Sequence, residues 1–266
     1  MIRIAIAGAA GRMGQALVRT VLLADDVELT HAFEIKENEF IGSDVGIVAG
    51  IGNVGIPLSD SVSKGDFDVL IDFTMPASTT TNVAHCKSHD QSIVIGTTGF
   101  DEKDQEKISA AAMNIPIVQA PNMSVGVNLA LELLDLAART FGDSVDIEIV
   151  EAHHSEKVDS PSGTALRMGQ VVANALDLDL SKDGVYARHG QVGRRKSNTI
   201  GFSAVRAGDI VGEHSVWFVG SGERIEINHK AASRSIYATG AVRAAKWLVD
   251  KPNGLYDMQN VLGFKD

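Results

Sequence analysis

Residues 151–166 read EAHHSEKVDSPSGTAL. Two imidazoles stand side by side (His153 and His154), an ammonium follows at Lys157, and Pro161-Ser162-Gly163-Thr164 opens a run whose apolar positions, Ala165, Met168, Val172 and Ala175, have helical spacing. Imidazole is the usual side chain for moving a proton near neutral pH. The unpaired N–H groups of a helix start form a cradle for an anion, worth about 0.3–1 kcal/mol and up to ~2 when partly buried. Three readings compete. In the first, a strand-to-helix loop carries histidines that only fill surface positions, which suits one histidine better than His-His with Lys and Ser-Gly-Thr. In the second, His153, His154 and Glu151 or Asp159 bind a metal. That reading lacks the i, i+4 histidine pair of a helical zinc motif, and Lys157 would repel the cation. The third, favoured here, is an acid–base and anion site. Val145–Val150 reads as a strand with the histidines just beyond its end. Neighbours on a regular strand point to opposite faces, so the chain must leave the strand there if both rings serve one site.

A second chemical stretch lies near the start. Gly8-Ala9-Ala10-Gly11-Arg12-Met13-Gly14 follows a short apolar strand and opens a helix. The spacing is G-x-x-G-x-x-G, a variant of the dinucleotide fingerprint, and the physics is shared: small residues let the backbone approach a pyrophosphate at a helix N-terminus. Glu34 ends the next strand, 20 residues past Gly14, where a carboxylate accepts from ribose hydroxyls. Gly96-Thr97-Thr98 and Ala120-Pro121-Asn122-Met123 follow two further strands, at the edge where open parallel sheets bind ligands. Their hydroxyls and the Asn122 amide suit a nicotinamide carboxamide.

The elements that must position these groups fall into two kinds. Arg3–Ala7, Val27–Phe33, Val69–Phe73, Ser92–Gly96 and Ile115–Gln119 read as buried strands. Between them lie helices at Met13–Leu23, Thr80–Ser88 and Glu102–Met113, the last behind an Asp101 cap. Ile41–Pro57 reads as a glycine-rich segment without structure. This is the doubly wound α/β pattern of a Rossmann-like parallel sheet. The second half carries helices at Val127–Thr140 and Thr164–Leu176. Strand-like segments follow at Thr199–Val205, His214–Val219 and Arg224–Asn228, with Gly208 and Gly222 in the turns. This predicts an α+β domain with a mostly antiparallel or mixed sheet. Domain boundaries are expected at 1–124, 125–233 and 234–266, with the last helix, Ser235–Leu248, returning to the first domain.

Composition narrows the function classes. With 266 residues, 44% hydrophobic and 22% charged, the chain can build two real cores. A net charge of −10 with no basic stripe argues against nucleic acid, and no apolar run is long enough for a membrane span. The opening Met-Ile-Arg-Ile-Ala-Ile-Ala-Gly is too short for a signal peptide and runs into the glycine turn. Cys86 is the only cysteine, so no disulfide framework exists, and a reducing cytoplasm is the expected home.

The stretch EAHHSEKVDSPSGTA resembles the signature of the dihydrodipicolinate (4-hydroxy-tetrahydrodipicolinate) reductase family of lysine and diaminopimelate biosynthesis. The resemblance extends through IAIAGAAGRMG, DFTMPAST, IGTTGF, APNMSVGVN, IGFSAVRAGDIVGEHSVWF and GERIEINHKAASR, in order along nearly the whole chain. It implies a homotetramer that reduces a cyclic unsaturated dicarboxylate with NADH or NADPH. His153 would be the proton donor/acceptor and Lys157 the proton donor. His154, Ser162, Gly163 and Thr164 would hold a substrate carboxylate. Gly8 to Met13, Glu34, Gly96 to Thr98 and Ala120 to Met123 would bind the cofactor. Many NADPH-using relatives place arginine where this chain has Ile35, and often where it has Met75, which predicts dual cofactor use with NADH preferred. The alternatives are another NAD(P)H-dependent reductase of a small dicarboxylate, such as an aspartate or homoserine dehydrogenase relative, and a cofactor-binding sensor that has lost catalysis.

Overall fold

The computed structural model describes residues 1–62 and 65–265. In chain order the elements begin with β1 (Ile2–Ala7), α1 (Arg12–Leu22), β2 (Val27–Phe33), α2 (Val45–Val48), β3 (Leu58–Ser59), β4 (Val69–Asp72) and α3 (Pro76–Ser88). Then come β5 (Ser92–Ile95), α4 (Glu102–Ala112), β6 (Pro116–Gln119), α5 (Val125–Phe141), β7 (Asp146–His153), α6 (Gly163–Ala175), α7 (Leu180–Asp183) and β8 (Gly184–Val185). The chain ends with β9 (Ile200–Arg206), β10 (Gly212–Val219), β11 (Arg224–Ala231), α8 (Ser235–Leu248), β12 (Gly254–Tyr256) and α9 (Met258–Leu262). Two compact units result, one of Met1–Val125 with Arg234–Asp266 and one of Gly126–Ser233.

The first unit is a seven-stranded, wholly parallel sheet in the order β3-β2-β1-β4-β5-β6-β12. Strands such as Val69–Asp72 are buried along their full length because both faces are covered. Leu17 and Val21 of α1 and Ala241 and Leu248 of α8 share one core; Val83 and Cys86 of α3 and Ile108 of α4 fill the other. The strand order reverses between β1 and β4, which marks a crevice at their C-terminal ends as the ligand site.

Three local expectations need correction. Residues 41–57 are organised: Asp44 caps the short helix α2, and its carboxylate accepts from the N–H groups of Gly46, Ile47, Val54, Gly55 and Ile56. The α3 helix starts at Pro76, not Thr80, since proline suits the first helical position, where no N–H partner is needed. The histidine-bearing strand continues to His153. The short elements β3, α7, β8, β12 and α9 carry too little periodicity to be read from sequence.

In the second unit the sheet is mixed, in the order β11-β10-β7-β9-β8. β10 runs antiparallel to β11 and β7, while β9 runs parallel to β7 and β8. Helix α6 lies close against one face: a Cβ on Gly169 would stand 2.5 Å from the Phe202 ring. That face carries Ile149, Phe202, Val216 and Phe218 in one core with Met168 and Val172. Among the described residues no helix is long and apolar enough to cross a membrane.

Candidate active site

Strand periodicity puts Glu151 and His153 on the same face of β7, the face that carries Ile149. Both are buried, at 1% and 8% exposure. His153 Nδ1 lies 2.6 Å from Glu151 Oε2. A carboxylate only accepts, so Nδ1 carries the proton and Nε2 is left for other work. Nothing larger than hydrogen stands on Gly212 in front of that atom; a Cβ there would be 3.1 Å from Nε2. The Arg206 guanidinium forks onto both Glu151 oxygens at 2.8 Å each, and the Ser162 N–H donates to Oε1 at 3.0 Å. Burial alone would raise the Glu151 carboxyl; Arg206, then His153 and Ser162, outweigh it and hold its pKa below the ordinary value.

Ser162 caps α6, its Oγ accepting from the Ala165 N–H at 3.2 Å. The same Oγ lies 2.9 Å from His214 Nε2 on β10, the residue paired with Glu151 across the sheet. Burial, with His153 beside it, pushes the His214 pKa down to about 4. A Cβ on Gly163 would meet nothing within 4 Å, so there is open space beside the start of α6 at that residue. Lys157 is 21% exposed and donates to both Asp159 oxygens at 2.7 and 2.9 Å. His154, half-buried, starts the turn that Lys157 closes by donating its N–H to the His154 carbonyl at 3.2 Å. The metal reading loses both candidate carboxylates, because Glu151 is held by Arg206 and Asp159 by Lys157. Among the described residues no group of three His, Cys, Asp or Glu is arranged to hold a metal ion.

The glycine turn lies at the C-terminal end of β1. Gly8 has φ +75°, and its N–H and that of Ala9 donate to the Phe33 carbonyl at 2.9 and 3.1 Å. Gly11 caps α1 with no side-chain hydrogen bond and no acidic residue follows in the first turn, which leaves N–H groups for an anion. Glu34 accepts from the N–H groups of Ala10 (3.3 Å) and Ile35 (3.0 Å). A cleft of about 350 Å³ lies here, lined by Gly8, Glu34, Ile35, Thr74, Ser78 and Asn82 among others. Small residues, free helix N–H groups and a carboxylate at the end of the second strand fit a dinucleotide.

Three expected cofactor contacts are oriented differently. The Thr97 hydroxyl is committed inward, 2.9 Å from the Thr74 N–H, 2.9 Å from Thr79 Oγ1 and 3.2 Å from Asp72. Ala120 and Met123 are buried, and Met123 packs its carbonyl against Gly240 of α8. What Thr97, Ala120 and Met123 can offer a ligand is backbone. Gly96, Thr98, Pro121 and Asn122 lie at the same strand ends with part of their surface exposed, and Arg12 and Met13 open α1.

Sequence reasoning missed Arg206, His214 and Asp72, and considered Glu151 only as a metal ligand. The alternation Glu151-x-His153 was a usable signal for Glu151. Arg206 and His214 reach the site only through strand pairing that the sequence does not announce.

Among solved structures, dihydrodipicolinate reductase from Paenisporosarcina sp. TG-14, solved with dipicolinate bound, is similar at 24% identity; the match covers 98% of this chain and 99% of that one, with a TM-score of 0.78. A probable dehydrogenase from Thermotoga maritima is similar at 11% identity over 98% and 92%, TM-score 0.61. An amine dehydrogenase from Mycobacterium smegmatis shows 11% over 96% and 94%, TM-score 0.57. At these identities the likeness is one of fold. The family models reach further: dihydrodipicolinate reductase, N-terminus, matches residues 2–123, and dihydrodipicolinate reductase, C-terminus, matches residues 126–262. The chain therefore belongs to the dihydrodipicolinate reductase family, whose reaction in lysine and diaminopimelate biosynthesis is the reduction of a small-molecule substrate with a pyridine nucleotide.

Proposed function

We propose that His153 and Lys157 handle the proton of this reduction, and that His154, Ser162, Gly163 and Thr164 hold a carboxylate of a cyclic, unsaturated dicarboxylate. The observation that carries the reading is the buried His153–Glu151 bond beside the open start of α6. A reduced nicotinamide, when bound, supplies the hydride. The protein must then orient the ring and deliver one proton to the position that takes up electron density. His153, with Nδ1 held, presents Nε2 for that transfer. Lys157 carries a proton at Nζ and is held close by Asp159. The α6 N–H groups fix a carboxylate, which aligns the ring.

The test follows NADH absorbance with enzymatically generated substrate, with pyridine-2,6-dicarboxylate added as a planar mimic. Inhibition is expected to be competitive against the substrate. Competition against NADH alone would remove the carboxylate cradle from the reading.

For the cofactor, the proposed contacts are Gly8 to Met13, Glu34, Gly96 to Thr98 and Ala120 to Met123, with dual use and NADH preferred. Glu34 would face the 2′-phosphate of NADPH, an unfavourable like-charge contact. Ile35, 57% exposed, and Met75, 72% exposed, offer no compensating charge. Lys36 is exposed and sits 3.6 Å from Glu37. Among the described residues no arginine or lysine lines the cleft, and Asp60 adds a second carboxylate. Ile35→Arg is expected to raise the NADPH/NADH ratio of kcat/KM by about tenfold, since guanidinium binds phosphate in a bidentate way. A wild-type ratio clearly favouring NADPH would overturn the argument.

A homotetramer assembled through the second unit's sheet completes the proposal. The face opposite α6 carries Val150, Ala152, Val205 and Trp217, and Val205 is 45% exposed. These apolar residues share the face with Glu148, Ser203, Ser215 and Glu226, and exposed apolar groups set among polar ones suit self-association. Light scattering is expected to give four times the chain mass of 28.2 kDa; a stable monomer at assay concentration would refute it.

A further inference from the structure

Glu151 has four donors on two oxygens, and they come from parts of the site with separate duties. His153 Nδ1 (2.6 Å) belongs to the proton carrier, and the Ser162 N–H (3.0 Å) to the cap of the carboxylate cradle. The remaining two are the Arg206 fork. Arg206 stands on β9 at the position paired with His153, and it also donates to the Asp159 carbonyl at 2.6 Å. It therefore ties the 154–162 loop, which carries Lys157, to the same carboxylate. His214 closes the ring from β10 by its contact with Ser162 Oγ.

We infer that Glu151, held in place by Arg206, is the positioning residue of the reaction: it fixes the His153 ring and tautomer and sets the α6 start relative to it. The inference rests on the proposed roles of His153 and α6. Two features of the chemistry support it. A buried carboxylate without Arg206 would be driven towards its neutral form, and a neutral acid no longer holds Nδ1–H as a sole acceptor does. An amide in its place presents N–H2 to groups that are themselves donors, which favours the wrong histidine tautomer. Glu151 reaches neither ligand through its own oxygens, since all four contacts are internal, so its effect must pass through His153 and Ser162.

The experiment is steady-state kinetics on Glu151→Gln, His153→Gln and the double variant, with folding checked by circular dichroism. Glu151→Gln is expected to lower kcat about 10²-fold and to raise the KM of the dicarboxylate, with the KM of NADH unchanged. In the His153→Gln background the same change should lower kcat no more than about twofold further, since groups that act as one unit are not additive. A wild-type kcat for Glu151→Gln, with His153→Gln slow, would overturn the inference and leave the proposed function standing. Losses that multiply in the double variant would show Glu151 acting independently of His153 and would also overturn it. A fast His153→Gln enzyme would remove the underlying reading, and the inference with it. Should Glu151→Gln not fold, Arg206→Lys keeps the charge and loses the fork. It is expected to lower kcat about tenfold with the same non-additivity, and wild-type kinetics there would count against the inference.

Discussion

Lys157→Ala is expected to lower kcat by about 10²–10⁴-fold while NADH binding is kept. Its Nζ is held 2.7 and 2.9 Å from the exposed Asp159 carboxylate, whose pKa it holds below the usual range. That hold is local and open to solvent, so an arriving substrate carboxylate can compete for the ammonium. His153→Gln should fall in the same range, for a different reason: the buried ring is fixed by Glu151 and cannot be replaced by water. Lys157→Arg separates charge from proton transfer. Guanidinium keeps the positive charge but does not release a proton in this range. The substrate KM should then stay close to wild type while kcat stays low. Near-normal turnover of Lys157→Ala would remove the residue from the mechanism. Loss of NADH binding in the same variant would show damage to the fold instead.

How much of this was legible depended on whether a feature is local. The glycine turn, the buried strands and the strand-to-helix step at Ser162 are set by neighbours in sequence, and each left a pattern of size, alternation or capping that can be read. The site's buried polar groups are of another kind. Arg206 is 55 residues from Glu151 in sequence, and the bond exists because β9 pairs parallel to β7 in a register that sets Arg206 opposite His153. His214 faces Glu151 across an antiparallel pair. Register is a property of two strands, so neither strand alone discloses it.

Asp72 makes the same point in the first unit. Its burial at the end of an apolar strand invites the reading of a strand terminus, yet its carboxylate gathers the Thr74 N–H and hydroxyl, the Thr79 and Thr97 hydroxyls and the Asn82 amide. A buried carboxylate is sustained by such donors. That network turns Thr97 inward, against the expectation that its hydroxyl faces a ligand. Loop 41–57 was misread for a related reason. One carboxylate, Asp44, satisfies five backbone N–H groups, and glycine-rich composition hides an organiser that is a single side chain.

Gly14→Ala is expected to damage both the packing of α1 and the glycine turn of the first unit. The residue is buried on α1, and an added Cβ would stand 2.1 Å from the Gly8 carbonyl oxygen and 2.5 Å from Ala9 Cα. Both obstacles are backbone, so no side chain can swing away. Relief requires α1 to move off the β1 turn, and that movement also displaces the Gly8–Met13 segment. Overpacking of this kind costs about 1–3 kcal/mol or more, against a total stability of roughly 5–15 kcal/mol. At about 2–4 °C per kcal/mol for a chain of this size, Tm should fall by roughly 2–12 °C, and the KM for NADH should rise with it. Gly11→Ala is the control within the same motif. Gly11 has φ −70°, which any residue adopts, and its Cβ would lie 3.3 Å from the Gly8 oxygen, a contact that small shifts relieve. Its Tm should stay near wild type while NADH binding weakens, because on the proposed cofactor contacts the new methyl stands where the helix start meets the pyrophosphate. The two glycines thus separate close helix packing from close ligand approach. Thermal unfolding and NADH titration of both variants check the assignment, and a Gly14→Ala protein with wild-type Tm and NADH affinity would refute it.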